Sequence, residues 1–172
     1  VSDNQVVYVK GTSVDFTANA GDGTGSGIKE ITAPGGSVSG TTVNLPTGGP
    51  YTITATDNVG LTKAIRVTVT PDTASPTISF DAGSVTGSTT TRSVVDTVAD
   101  SPSGVYSLVS SSGSVAYTAG NATGTVSGIS GDTVCKFTVT DNVGNVRSKW
   151  CFIQSDWTTV VNCVEVPELW TI

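Results

Sequence analysis

The sequence predicts an all-β chain built as two tandem antiparallel sandwiches followed by a strand-like extension, and three observations predict it. The first is composition: 172 residues carry 26 Val, 29 Thr and 21 Ser, with 37% hydrophobic and only 13% charged residues. Branching at Cβ packs well on a pleated surface, so such richness in Val and Thr favours strands. The second is period. Tyr51, Ile53 and Ala55 alternate with Thr52, Thr54 and Thr56, and Ile65, Val67 and Val69 alternate with Arg66, Thr68 and Thr70, the signature of half-buried strands. The third is an internal repeat. Tyr51-Thr-Ile-Thr-Ala-Thr-Asp-Asn-Val-Gly60 returns 84 residues later as Cys135-Lys-Phe-Thr-Val-Thr-Asp-Asn-Val-Gly144, and self-similarity at such a period marks duplicated structural units.

The first copy is expected over residues 1–71. Its two alternating runs flank Asp57-Asn58-Val59-Gly60 and read as a β-hairpin, the glycine supplying the positive φ that a tight loop needs. Pro71 to Pro76 brackets a short, stiff linker over 72–76, because proline donates nothing to a ladder. The second copy is expected over 77–153. Ser26-Gly27-Ile28 and Gly36-Ser37-Val38 recur 77 residues on as Ser103-Gly104-Val105 and Gly113-Ser114-Val115. The later offset of 84 therefore places about seven extra residues between Val115 and Cys135, around Asn121-Ala-Thr-Gly124. The same phase sets Val1 opposite Ile78, so the chain opens where a repeat's first strand begins, which predicts a cut at a domain boundary. Each copy has the size of a two-sheet sandwich. Residues 154–172 match nothing upstream and are too apolar for a disordered linker.

The Asp72-x-x-x-Pro76 linker, the Ser-Gly-Ile/Val segments and the paired Thr-Asp-Asn-Val-Gly turns resemble the bacterial immunoglobulin-like domains strung along cell-surface and secreted proteins. The resemblance covers about 150 of the 172 residues. It implies immunoglobulin-like sandwiches and roles in spacing, adhesion and the binding of carbohydrate or protein outside the cell. The first copy carries Leu61 where the turn of such domains usually has Asn, and the tail has no counterpart in the pattern.

Charge and residue usage narrow the function. The formal net charge is -6, with 11 Asp and 3 Glu against 8 Lys and Arg. Eight scattered cations form no patch to neutralise phosphates, which argues against nucleic acid as a partner. No apolar run approaches the roughly 20 residues of a membrane-spanning helix, so no membrane insertion is expected. Without any His, Ser-His-Asp and Cys-His arrangements and His metal sites are excluded. No enzyme activity and no catalytic residues are expected, and no cofactor beyond calcium. Asp57, Asp141 and Asp72 are the calcium candidates, with Asp22, Asp100 and Asp132 as further oxygen donors. Against calcium stands an Asx-type turn, in which each carboxylate accepts backbone N–H groups, and this reading is preferred.

Three cysteines, Cys135, Cys151 and Cys163, make an odd count. Cys135 and Cys151 fall nearly opposite each other on the adjacent strands of the second hairpin. Buried thiols are one reading; one disulfide is preferred, joining Cys163 to Cys151 or to Cys135 in an oxidising compartment. Asn121-Ala-Thr123 is an N-glycosylation sequon. Trp150, Trp157 and Trp170 cluster at the end of the chain, and Trp157, Val160, Val164 and Trp170 are the candidate interface, because aromatic clusters mark binding surfaces. Thr158 to Val166 has the pattern of an added strand. Two functions follow. The favoured one is a non-enzymatic structural or adhesion module of an extracellular or cell-surface protein, its partners neighbouring domains, surface proteins or glycans. The alternative is a subunit of an extracellular filament, sheath or virion decoration, joined to identical subunits by β-strand addition through the tail.

Overall fold

The computed structural model describes residues 1–80, 86–87, 92–129 and 133–153. Among these there is no helix, and the chain divides into two compact units, Val1–Asp72 and Thr73–Ile172. The expected extension at 154–172, with the interface candidates Trp157, Val160, Val164 and Trp170, lies outside the described residues, as do Asp132 and Cys163.

In the first unit the strands are β1 (Gln5–Val9), β2 (Ser13–Thr17), β3 (Ile28–Thr32), β4 (Ser37–Ser39), β5 (Thr42–Pro46), β6 (Gly48–Asp57) and β7 (Thr62–Pro71). They form two sheets, ordered β1-β7-β6-β3 and β2-β5-β4. The period-2 pattern fixes which face is buried. Ile53 on β6 and Val67 and Val69 on β7 turn inward to meet Val43 and Leu45 of β5, while the Thr residues between them stay outside. Burying each such aliphatic side chain contributes roughly 1.5–3 kcal/mol. Pairing is antiparallel with one exception: β1 lies parallel to β7, Gln5 opposite Val67 and Val9 opposite Pro71.

The second unit contains β8 (Thr77–Phe80), β9 (Thr86–Gly87), β10 (Arg92–Ala99), β11 (Val105–Ser110), β12 (Ser114–Ala116), β13 (Thr123–Ile129), β14 (Thr133–Asp141) and β15 (Val146–Ile153). Its sheets run β12-β13-β10-β8, with β9 also on β10, and β11-β14-β15. Phe137, Val126, Ile129 and Val139 are fully enclosed, and Phe80 packs edge-on against Phe137 with ring centres 4.9 Å apart.

Strand by strand the units correspond. Both hairpins, β6–β7 and β14–β15, turn at Asp-Asn-Val-Gly, and Tyr51 opposite Val67 in one becomes Cys135 opposite Cys151 in the other. The added residues of the second copy sit between β12 and β13, where the two-residue turn Gly40-Thr41 of the first unit is replaced by residues 117–122. The first strand differs. In the first unit β1 joins β7, leaving β2 at the margin of its sheet; in the second, β8 joins β10 antiparallel, Ile78 opposite Val98 and Phe80 opposite Asp96. Val43 pairs with Val38 and Phe16, and Val126 pairs with Val115 and Val94. Phe16 is thereby equivalent to Val94, Ala18 to Asp96, Asn19 to Thr97 and Gly21 to Ala99.

Candidate functional site

The residues that the two copies share most closely build one device twice. Asp57 ends β6, and its Oδ1 accepts the N–H groups of Val59 (2.9 Å) and Leu61 (2.8 Å). Asp141 ends β14, and its Oδ1 accepts those of Val143 (2.9 Å) and Asn145 (2.8 Å). Each turn closes through a glycine at φ 91°, Gly60 or Gly144, a region that a Cβ makes costly. The Asn that follows reaches across to another loop. Asn58 Nδ2 donates to the Ser26 carbonyl (2.8 Å), and Asn142 Nδ2 to the Ser103 carbonyl (2.8 Å).

A second Asp completes the device in each unit. Asp22 Oδ2 accepts the Gly27 N–H at 3.0 Å, and Asp100 Oδ2 accepts the Gly104 N–H at 2.9 Å. Ser26 and Ser103 hydroxyls donate to the same two oxygens. The order Asp–loop–Ser–Gly, bridged by Asn to the Asp-Asn turn, staples the start of β3 to the end of β6, and the start of β11 to the end of β14. Charge-assisted acceptance of backbone N–H groups is the stronger class of hydrogen bond. In the sequence Asp22 and Asp100 stand as further oxygen donors for calcium; their lead over Ser-Gly by a few residues in both copies signals a loop-fixing role.

Of the calcium candidates, Asp57 and Asp141 stand in different units. Within the second unit, carboxylate oxygens of Asp100 and Asp141 lie within 4.8 Å of each other. Both oxygens of Asp141 already accept hydrogen bonds, since Asn145 Nδ2 donates to Oδ2 at 2.8 Å. In the first unit Leu61 takes that place and stands exposed. Asp72 ends the first unit, where its N–H donates to the Val9 carbonyl (2.8 Å).

Two further features stand out, one in each unit. A cavity of about 470 Å³ opens in the first unit between the two sheets, lined by Phe16, Ala18, Ile31, Ile53, Ala55 and Ile65 among others, with Val1, Asp22, Asp57 and Lys63 also on its wall. In the second unit the corresponding volume is filled: Ile78 of β8 is buried and Phe80 packs on Phe137. The other feature is Asp96. It is fully enclosed, neither carboxylate oxygen has a hydrogen-bond partner, and burial pushes its pKa from 3.8 to about 7.

Cys151 is disulfide-bonded, and Cys135, opposite it on β14, is a buried free thiol whose pKa burial pushes up. The pairing of Cys151 with Cys163 named above falls outside the described residues. Asn121 is exposed in the loop before β13, with Tyr117 Oη donating to its carbonyl at 3.1 Å. No helix of the described residues is long and apolar enough to cross a membrane. In comparison with known proteins, the chain matches no family model and no curated relative.

Proposed function

We propose that the chain is a non-enzymatic structural and adhesion module of an extracellular or cell-surface protein, composed of tandem immunoglobulin-like sandwiches. One observation carries this reading: the polar residues most faithfully repeated, Asp57 with Asn58 and Asp141 with Asn142, spend their side-chain hydrogen bonds on backbone groups of their own unit. A repeat that preserves loop staples preserves shape, and shape is what a spacer or adhesin module transmits. The Ser- and Thr-rich, acidic composition suits a protein kept apart from its neighbours by like charge. Its partners on this reading are adjoining domains and a surface protein or glycan.

A second reading, the subunit of a filament, sheath or virion decoration, is favoured by a separate observation: among the described residues β2 carries no strand on its outer side, whereas its equivalent β10 carries β8. Light scattering on the full, non-reduced chain separates the two. A 17.4 kDa particle at every concentration supports the module, and growth in mass with concentration supports the subunit. Adhesion of chain-coated beads to cells or glycan arrays, lost on heat unfolding, is the direct test of the module.

A further inference from the structure

In the second unit β8 lies antiparallel along Asp96–Ala99, Ile78 opposite Val98 and Phe80 opposite Asp96. Ile78 and Phe80 join the core, while Thr77 and Ser79 stand exposed. Arg147 Nε donates to the Pro76 carbonyl at 2.8 Å, which fixes the entry of the strand. Each of these contacts has an unmet counterpart in the first unit. No strand lies along Ala18–Gly21 among the described residues. The Ala18 N–H is spent on the Thr41 carbonyl at 2.8 Å, so the alternation of an extended chain turns the Asn19 and Gly21 N–H groups to the empty side. Ile31 and Ile28 are only partly buried, whereas their counterparts Leu108 and Val105 are enclosed. Lys63 occupies in the first hairpin the place of Arg147 in the second. It lies on the cavity wall, and its ammonium has no hydrogen bond or ion pair among the described residues. The start of the chain does not fill the space: Val1 reaches the wall yet remains 56% exposed, and Asp3 accepts the Arg66 N–H on β7 at 2.8 Å.

We propose that the first unit captures an extended segment of a partner protein by β-strand addition, antiparallel to Ala18–Gly21 and over the cavity. The second unit shows the chemistry that fits, a segment patterned polar–aliphatic–polar–aromatic like Thr77-Ile78-Ser79-Phe80. Its two apolar side chains enter the trough over Ile31 and Ile28, where Ala18 stands in place of Asp96 and leaves room. Its backbone carbonyls take the Asn19 and Gly21 N–H groups, the acceptor geometry of an unpaired edge. Charge matches as well as shape, because the Lys63 ammonium meets the negative end of the carbonyl that leads into the segment, as Arg147 meets that of Pro76. A polypeptide suits this surface better than a small molecule, since donors at every second residue are answered by acceptors at the same spacing. The assignment rests on the reading of the chain as an adhesion module and names the surface by which it holds a protein.

The test titrates the full non-reduced chain, isotopically labelled for NMR, with a capped synthetic peptide of the sequence Ser75–Phe80. Saturable shifts at the Asn19 and Gly21 amides are expected, with a dissociation constant below about 1 mM. A peptide carrying Ile78→Asp and Phe80→Asp should bind at least roughly tenfold more weakly. So should the intact peptide to two variants of the chain: Asn19→Pro, which removes an edge donor, and Ala18→Leu, which fills the trough. Unchanged Val43 and Val67 amides identify the variants as folded, and whichever of the two folds suffices. Equal affinity for both peptides, or for a folded variant and the parent, would overturn the proposal. Asn19 and Gly21 amides already protected from hydrogen exchange in the isolated monomer would show the edge filled from within and overturn it too. Protection that appears only as the chain self-associates would give the edge to a second copy, with the same result. Adhesion of chain-coated beads that the peptide does not inhibit would leave the adhesion reading standing and remove the groove from it. Peptide binding by a chain whose beads adhere to nothing would do the reverse.

Discussion

Asp96 gives the second unit a stability that depends on pH in a direction opposite to that of most carboxylates. Its side chain is fully enclosed with both oxygens unsatisfied, and burial holds its pKa near 7 against 3.8 for a free Asp. Below pH 3.8 the folded and unfolded chains both hold the proton. Between pH 3.8 and 7 the folded chain keeps a proton that the unfolded chain has lost, so unfolding gains with every step up in pH. At ~1.4 kcal/mol per pH unit the total is roughly 4 kcal/mol, fully felt above pH 7. That is a large share of the 5–15 kcal/mol typical of a domain. Asp96→Asn keeps the shape and removes the titration. Urea unfolding followed by Trp fluorescence reads this unit cleanly, because all three Trp lie at or beyond position 150. The stability of Asp96→Asn relative to the parent should rise by about 4 kcal/mol between pH 4 and pH 8. An equal difference at the two pH values, within ~0.5 kcal/mol, would show that the carboxyl is solvated or paired and would refute the reasoning.

Other outcomes follow from the two turns and the cysteines. Asp57→Ala and Asp141→Ala should each destabilise their own unit by about 1–3 kcal/mol in denaturant melts, with the larger loss at Asp141, which accepts a third hydrogen bond from Asn145. Leu61→Asn should stabilise the first unit by ~0.5–1 kcal/mol by supplying that bond to Asp57, and calorimetry on the full chain would resolve it. Cys135 should resist a thiol reagent in the native protein and react only on unfolding, since its sulfur is enclosed and its thiolate disfavoured. Millimolar calcium, or its removal by chelator, should move the melting temperature by less than ~2 °C, because the Asp carboxylates already accept backbone N–H groups; a larger shift would show that an ion binds the folded chain and overturn the Asx-turn reading.

The hairpins were legible because they are local: alternating Thr and apolar residues on either side of Asp-Asn-Val-Gly set both the turn and the register that puts Cys135 opposite Cys151. The reach of Asn58 to Ser26 and of Asn142 to Ser103 was not, since it spans 32 and 39 residues and neither end is unusual in its own neighbourhood. Asp96 escaped for a different reason. Asp beside Gly, Ser or Asn favours turns, yet this one sits in Val94-Val95-Asp96-Thr97-Val98, an alternating run in which a charged residue on the inward phase is itself the signal. The cavity was invisible because it depends on where a first strand goes. Val1-Ser2-Asp3 and Ile78-Ser79-Phe80 align in sequence, yet among the described residues β8 pairs with β10 while no strand lies on the outer side of β2.

The parallel contact between β1 and β7 has a mechanical meaning. These are the first and last strands of their unit, so tension applied at its two ends draws β1 toward its N-terminus and β7 toward its C-terminus, along a common axis and in opposite directions. The five facing pairs from Gln5–Val67 to Val9–Pro71 are then loaded in shear. They must yield together, where a hairpin pulled open from one end would release its bonds one after another. Extension of the unit is therefore governed by a single five-residue patch, and lengthening or shortening β1 would tune the force at which the module gives way.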